Sequence, residues 1–95
     1  MGWWRYRLKT SDALLKAVNS GRPHDILKML KASYRELRRN KIISAEDYEL
    51  FIEDYDSYDA LDDDDVLEDI VNSEWEEFYT MCYNAGILID QLWEE

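Results

Sequence analysis

Apolar and polar residues alternate at the start of the chain and then change period. Trp4, Tyr6 and Leu8 fall on one side of Arg5, Arg7 and Lys9, a spacing of two that predicts a brief strand over 3–9. From Ala13 onward the apolar positions recur at three and four. Ala13, Leu14, Leu15, Ala17 and Val18 predict a helix with Ser11 as N-cap, Asp12 in its first turn and Gly21 at its close. Pro23 sets the start of a second helix, with Asp25 near its positive end and Ile26, Leu27, Leu30, Tyr34 and Leu37 on its apolar face. Arg35, Arg38 and Arg39 crowd its last turns, where cations meet the negative end of the helix dipole.

Asn40 and Lys41 form a break. Ser44, with Asp47 three residues later, resembles a capping box and opens a third helix that runs to about Tyr58. Its apolar stripe is Tyr48, Phe51, Ile52, Tyr55 and Tyr58; Glu46, Glu49, Glu53 and Asp56 mark the opposite side at the same spacing. The run Asp62, Asp63, Asp64, Asp65 suits the start of a fourth helix, because carboxylates cap the free N–H groups there. That helix turns Leu67, Ile70, Val71, Trp75, Phe78 and Cys82 inward and ends near Gly86. The tail (Ile87, Leu88, Ile89, Leu92, Trp93) is too apolar to hang free, and reads either as a short helix or as a strand pairing with the N-terminal segment. The expected fold is all-α: one compact bundle of about four helices in a single domain, its two termini packed together.

Composition agrees with this and sharpens it. Only three Gly and one Pro punctuate the 95 residues, which favours helices over many short strands. A hydrophobic content of 46% offsets chain entropy and argues against disorder. The single cysteine, Cys82, excludes an internal disulfide and fits a reducing, cytoplasmic setting. No apolar run suits a signal peptide or a membrane span, and Tyr6 stands where a myristoylation motif starting at Gly2 wants Ser or Thr.

Charge changes the picture most. All eleven Lys and Arg lie at or before Lys41, beside only Asp12, Asp25 and Glu36, so residues 1–41 carry +8. Residues 42–95 hold the other nineteen acids and no Lys or Arg, for a net charge of −11 overall. Part of the basic segment is expected to neutralise neighbouring acids inside a helix hairpin, with the cationic face of the second helix set near the third.

Candidate chemistry is sparse. An EF-hand loop needs oxygen ligands at its first, third and fifth positions, Gly at the sixth and Glu at the twelfth. A loop starting at Asp54 puts Tyr58 at the fifth and Asp59 at the sixth; one starting at Asp62 puts Val66 at the fifth and Ser73 at the twelfth. Both registers fail, so no metal site is expected. Cys82 on an apolar stripe reads as a buried structural thiol rather than the partner of His24 in a nucleophilic pair. There is no Gly-rich phosphate loop and no Ser–His–Asp set, and the chain is too small to wall two carboxylates into a substrate cleft. The chain therefore reads as a non-enzymatic protein without a cofactor.

What remains is an acidic surface of Glu46, Glu49, Glu53, Asp56, Asp59, Asp62, Asp63, Asp64, Asp65, Glu68 and Asp69. Carboxylates one helical turn apart are spaced by about 5–6 Å, so such rows imitate the charge of a nucleic-acid backbone. Ordinary solvated helices mix both signs; this stretch does not. In size, charge and scarcity of catalytic motifs the chain is similar to small acidic inhibitors of phages and mobile elements, among them DNA mimics and anti-CRISPR or anti-restriction proteins. The acidic half is expected to dock on a basic protein surface, such as that of a nucleic-acid-binding protein; its −19 charge would repel nucleic acid, and no membrane contact is expected. The alternative is a small structural domain that self-associates, for instance as a homodimer, through attraction between its +8 and −19 portions.

Overall fold

A computed structural model describes residues 4–90 as four helices and one short strand pair. In chain order the elements are β1 (Tyr6–Arg7), α1 (Ser11–Ser20), α2 (Pro23–Arg39), α3 (Ala45–Asp59), α4 (Asp64–Ala85) and β2 (Ile87–Leu88). The fold is the expected all-α bundle with its ends joined as strands. The expectations for Gly2, Trp3, Leu92 and Trp93 fall outside the described residues.

The local signals act largely as anticipated. Gly21 (φ 71°) and Gly86 (φ 76°) end α1 and α4 in the left-handed conformation that only glycine adopts without strain. Ser44 accepts a hydrogen bond from the Asp47 N–H at 3.1 Å, and an Asp63 carboxylate oxygen accepts from the N–H groups of Asp65 and Val66. One cap differs. The N-cap of α1 is Thr10, not Ser11, and it makes no side-chain capping bond. The Ser11 hydroxyl instead donates back to the Leu8 carbonyl and is buried, while the Thr10 hydroxyl meets the buried Ser33 hydroxyl at 2.8 Å. Ser33 also donates to the Met29 carbonyl. Both serines are satisfied despite burial, as interior polar groups must be.

Helix α2 is the centre of the molecule and packs against α1, α3 and α4. Its buried Ile26, Leu27, Leu30 and Leu37 meet Leu14 of α1, Phe51 of α3 and Leu67, Val71 and Phe78 of α4 in one hydrophobic core. Tyr34 stacks on Phe51 with ring centroids 4.1 Å apart and tilts against Phe78 at 4.9 Å. The Lys31 ammonium lies 4.4 Å from the centre of the Tyr55 ring. Contacts therefore run from Tyr34 to Phe51 and from Lys31 to Tyr55, so α3 folds back antiparallel along α2.

The two strands are parallel, with Tyr6 opposite Ile87 and Arg7 opposite Leu88. Flanking bonds from Arg5 N–H to the Gly86 carbonyl (2.6 Å) and from Leu8 N–H to the Leu88 carbonyl (2.9 Å) extend the ladder. The alternation foreseen at the amino terminus holds: Leu8 is fully buried, Trp4 and Tyr6 are half-buried, and Arg5, Arg7 and Lys9 are exposed. Glu36 of α2 anchors the strand exit. Its carboxylate accepts from the Tyr6 hydroxyl at 2.6 Å and from the N–H groups of Lys9 at 2.7 Å and Thr10 at 2.9 Å.

Candidate interaction surfaces

The amphipathic period of α3 decides where its acids go. Burying Phe51 and half-burying Tyr48, Ile52, Tyr55 and Tyr58 sends Glu46, Glu49, Glu53 and Asp56 into solvent. Asp59, Asp62, Asp63, Asp64, Asp65, Glu68 and Asp69 are exposed as well. Among the described residues, none of these eleven carboxylates lies within ion-pair distance of a Lys or Arg; Asp64 alone meets a base, His24, at 3.9 Å.

Neutralisation across the α2–α3 hairpin is thus not found as direct pairing. The one Lys/Arg–carboxylate pair among the described residues is Arg22–Asp25, local to the start of α2 at 3.8 Å. The physical reason is geometric. Three of the five α2 cations, Arg35, Arg38 and Arg39, sit at its C-terminal end, and α3 turns its aromatic stripe toward α2, Phe51 onto Tyr34 and Tyr55 onto Lys31. The contact between Asp64 and His24 sets the Asp62–Asp65 run at the opposite, N-terminal end of α2. Seventeen residues at a rise of 1.5 Å make α2 about 25 Å long. The molecule therefore has an acidic pole and a basic pole.

The basic pole is a groove of about 460 Å³ lined by Arg35, Arg38, Arg39, Lys41, Ala45, Tyr48 and Glu49. A second hollow of about 380 Å³ adjoins it across α2, sharing Arg35 and Arg39 and adding Lys9. Lys41 holds its place at some cost: its φ is 61°, the conformation usual for glycine after a helix. The Ile42 N–H bonds the Leu37 carbonyl at 2.8 Å and the Lys41 N–H the Arg38 carbonyl at 3.1 Å, the paired pattern that closes helices with a left-handed residue. A lysine there costs about 1 kcal/mol relative to glycine.

A further acidic feature was not foreseen. Glu74 of α4 is half-buried, and its carboxyl is pushed up to about 7, first by that burial, then by a hydrogen bond with Glu77 and the charges of Glu77 and Asp54. The same charges act on Tyr58 of α3, whose phenol is also raised, mainly by burial. The neighbouring sides of α3 and α4 at Asp54, Glu74 and Glu77 are therefore acidic too. Its signal lay in the spacing, since Glu74 stands four residues from both Ile70 and Phe78 on the inward side of α4.

Glu74 carries a pH dependence. Below about 4.5 Glu74 is protonated in both the folded and unfolded chain, so its contribution is fully present; it is lost as pH rises toward about 7, because only the unfolded chain ionises freely. Unfolding stability should rise when pH falls from neutrality toward 5. Glu74→Gln should flatten that rise and add on the order of 1 kcal/mol at neutral pH, after allowance for screening of a group still reached by water. Urea denaturation of both proteins across this range checks it; parallel pH profiles would refute it.

Cys82 is buried in α4, and burial pushes its thiol up to about 12, whereas His24 is exposed at the start of α2. The two do not form a nucleophilic pair. Among the described residues no group of three or more His, Cys, Asp or Glu side chains is arranged to hold a metal ion. No described helix is long and apolar enough to cross a membrane. No protein-family model matches the chain, and searches of curated proteins and of solved structures find no match to it.

Proposed function

We propose that this is a small non-enzymatic interaction protein that docks through its acidic surface on a basic surface of another protein, of the kind that otherwise holds nucleic acid. One observation supports this above the rest: eleven exposed carboxylates from α3 to the start of α4 have no Lys or Arg counter-ion among the described residues. An uncompensated field of this sort attracts a basic partner and steers its approach. The helical rows at Glu46, Glu49, Glu53 and Asp56 present charge at intervals comparable to backbone phosphates, so occupying such a site would inhibit the partner as a DNA mimic does. That is the mode of small acidic inhibitors of phage and mobile-element type. It belongs to a reducing cytoplasm, where Cys82 stays a thiol.

The test is affinity capture from the source cell, comparing the natural chain with Glu53→Gln/Asp56→Asn/Asp59→Asn/Asp62→Asn. These exposed amides keep shape and remove like-charge repulsion, so the variant should fold at least as stably. A specific basic protein should be captured by the natural chain and lost with the variant. Its affinity should fall at least about tenfold as the Debye length shrinks from about 10 Å to about 3 Å between about 0.1 M and 1 M salt. Equal capture by both chains, or affinity indifferent to salt, would return the acids to simple solvation.

A further inference from the structure

The basic pole has no role in that reading. Arg35, Arg38, Arg39 and Lys41 converge on one groove with Tyr48, and among the described residues Glu49 is the only acid lining it. None of the four cations meets a carboxylate within ion-pair distance among the described residues. Glu36, the remaining acid of this end of α2, is engaged by Tyr6 and the backbone of Lys9 and Thr10. The groove is thus a shallow cationic surface in which four cations face the one acid Glu49 among the described residues.

We propose that the occupant of this groove is the acidic pole of a second copy of the chain, seated head to tail. Complementarity of charge carries the choice. The acidic pole is the tip of the turn between α3 and α4, where Asp59 and Asp62–Asp65 are all exposed. The groove is of opposite sign. The two cannot meet within one molecule, because they sit at opposite ends of α2. A heterologous contact of this kind leaves a free groove on one copy and a free acidic tip on the other, so it adds copies one after another rather than stopping at a symmetric dimer. It also fixes an unusual salt response. Each copy carries −11, and at very low salt this long-range repulsion opposes association. At about 0.15 M, where the Debye length is about 8 Å, repulsion between molecular centres is screened while the poles at contact still attract. At about 1 M the contact is screened as well.

Sedimentation velocity decides it. The natural chain should associate most strongly near physiological salt and dissociate at both extremes. Arg35→Glu/Arg38→Glu/Arg39→Glu should be monomeric throughout, and so should Asp62→Arg/Asp65→Arg/Glu68→Arg, which spares the Asp63 cap. An equal mixture of the two variants should associate, because the first retains the acidic tip and the second retains the groove. Lys41→Gly separates docking from folding: it relaxes the backbone at φ 61° and so should raise stability while weakening association. A natural chain that stays monomeric near physiological salt, or a variant mixture that stays monomeric, overturns the proposal. So does a single-stranded oligonucleotide that binds the monomer and is lost with the triple arginine reversal, since the groove would then belong to a polyanion. The groove variants leave the acidic surface intact, so capture of a basic partner succeeds or fails independently.

Discussion

Phe78→Ala is expected to remove about 3–5 kcal/mol of unfolding free energy, a large share of the 5–15 kcal/mol typical of a domain this size. Phe78 is fully buried on α4. Its ring meets Tyr34 of α2, which in turn stacks on Phe51 of α3. Three helices thus share one aromatic junction, and α3 has few other ties to α4. Truncation opens a cavity where α2, the element every other helix leans on, has nothing to slide in. The neighbouring Tyr79→Ala supplies the control. Tyr79 is 49% exposed, so the same loss of a ring should cost no more than about 1 kcal/mol. Urea denaturation followed by helical circular dichroism gives both values, and equal small losses would show that the junction does not close the core.

Glu36→Ala ranks second, with an expected loss of about 2–4 kcal/mol. Hydrogen bonds to a charged acceptor contribute about 1.5–3 kcal/mol each, and three donors converge here; water replaces part of that in the variant because the Lys9 N–H is exposed. Glu36→Gln should lose less, since it keeps one acceptor oxygen, though its amide turns a donor toward a donor. A second readout separates this role from mere packing. The Tyr6 phenol is pushed up to about 12 from 10.0, by burial first and then by the hydrogen bond and charge of Glu36. In Glu36→Ala the ultraviolet titration of Tyr6 should move back toward 10.0. An unshifted titration would remove Glu36 from that account.

Only one of these effects was visible in the sequence. The aromatic junction was, because Tyr34, Phe51 and Phe78 each fall on an apolar stripe of helical period, and stripes of that kind have to be buried. The helix ends were legible for a related reason: Gly21, Pro23, Ser44, Asp63 and Gly86 act on their own few neighbours. Ser11 misled because a serine before an apolar run suits a cap and also suits a buried turn, and only the Leu8 carbonyl decides between them. Glu36 was opaque. Its partners lie 26 to 30 residues away, and nothing near it in the chain marks it out from a solvated glutamate. The acidic residues were legible as a set and as exposed, yet the placing of Asp62–Asp65 at the far end from Arg38 and Arg39 depended on α3 folding back along α2. Net charge by segment suggested neutralisation across the hairpin; the direction in which each side chain leaves its helix prevented direct pairs.

The parallel pairing of β1 with β2 has a mechanical consequence. The chain enters this pair ahead of Tyr6 and leaves it beyond Leu88, at opposite ends of two strands that run the same way. Tension applied between the segments leading into β1 and out of β2 therefore pulls the strands past each other. It loads the Arg5–Gly86 and Leu8–Leu88 bonds together instead of peeling them one by one. A two-residue ladder thereby becomes a clasp against forces that draw its two flanking segments apart, the load a threading protease applies.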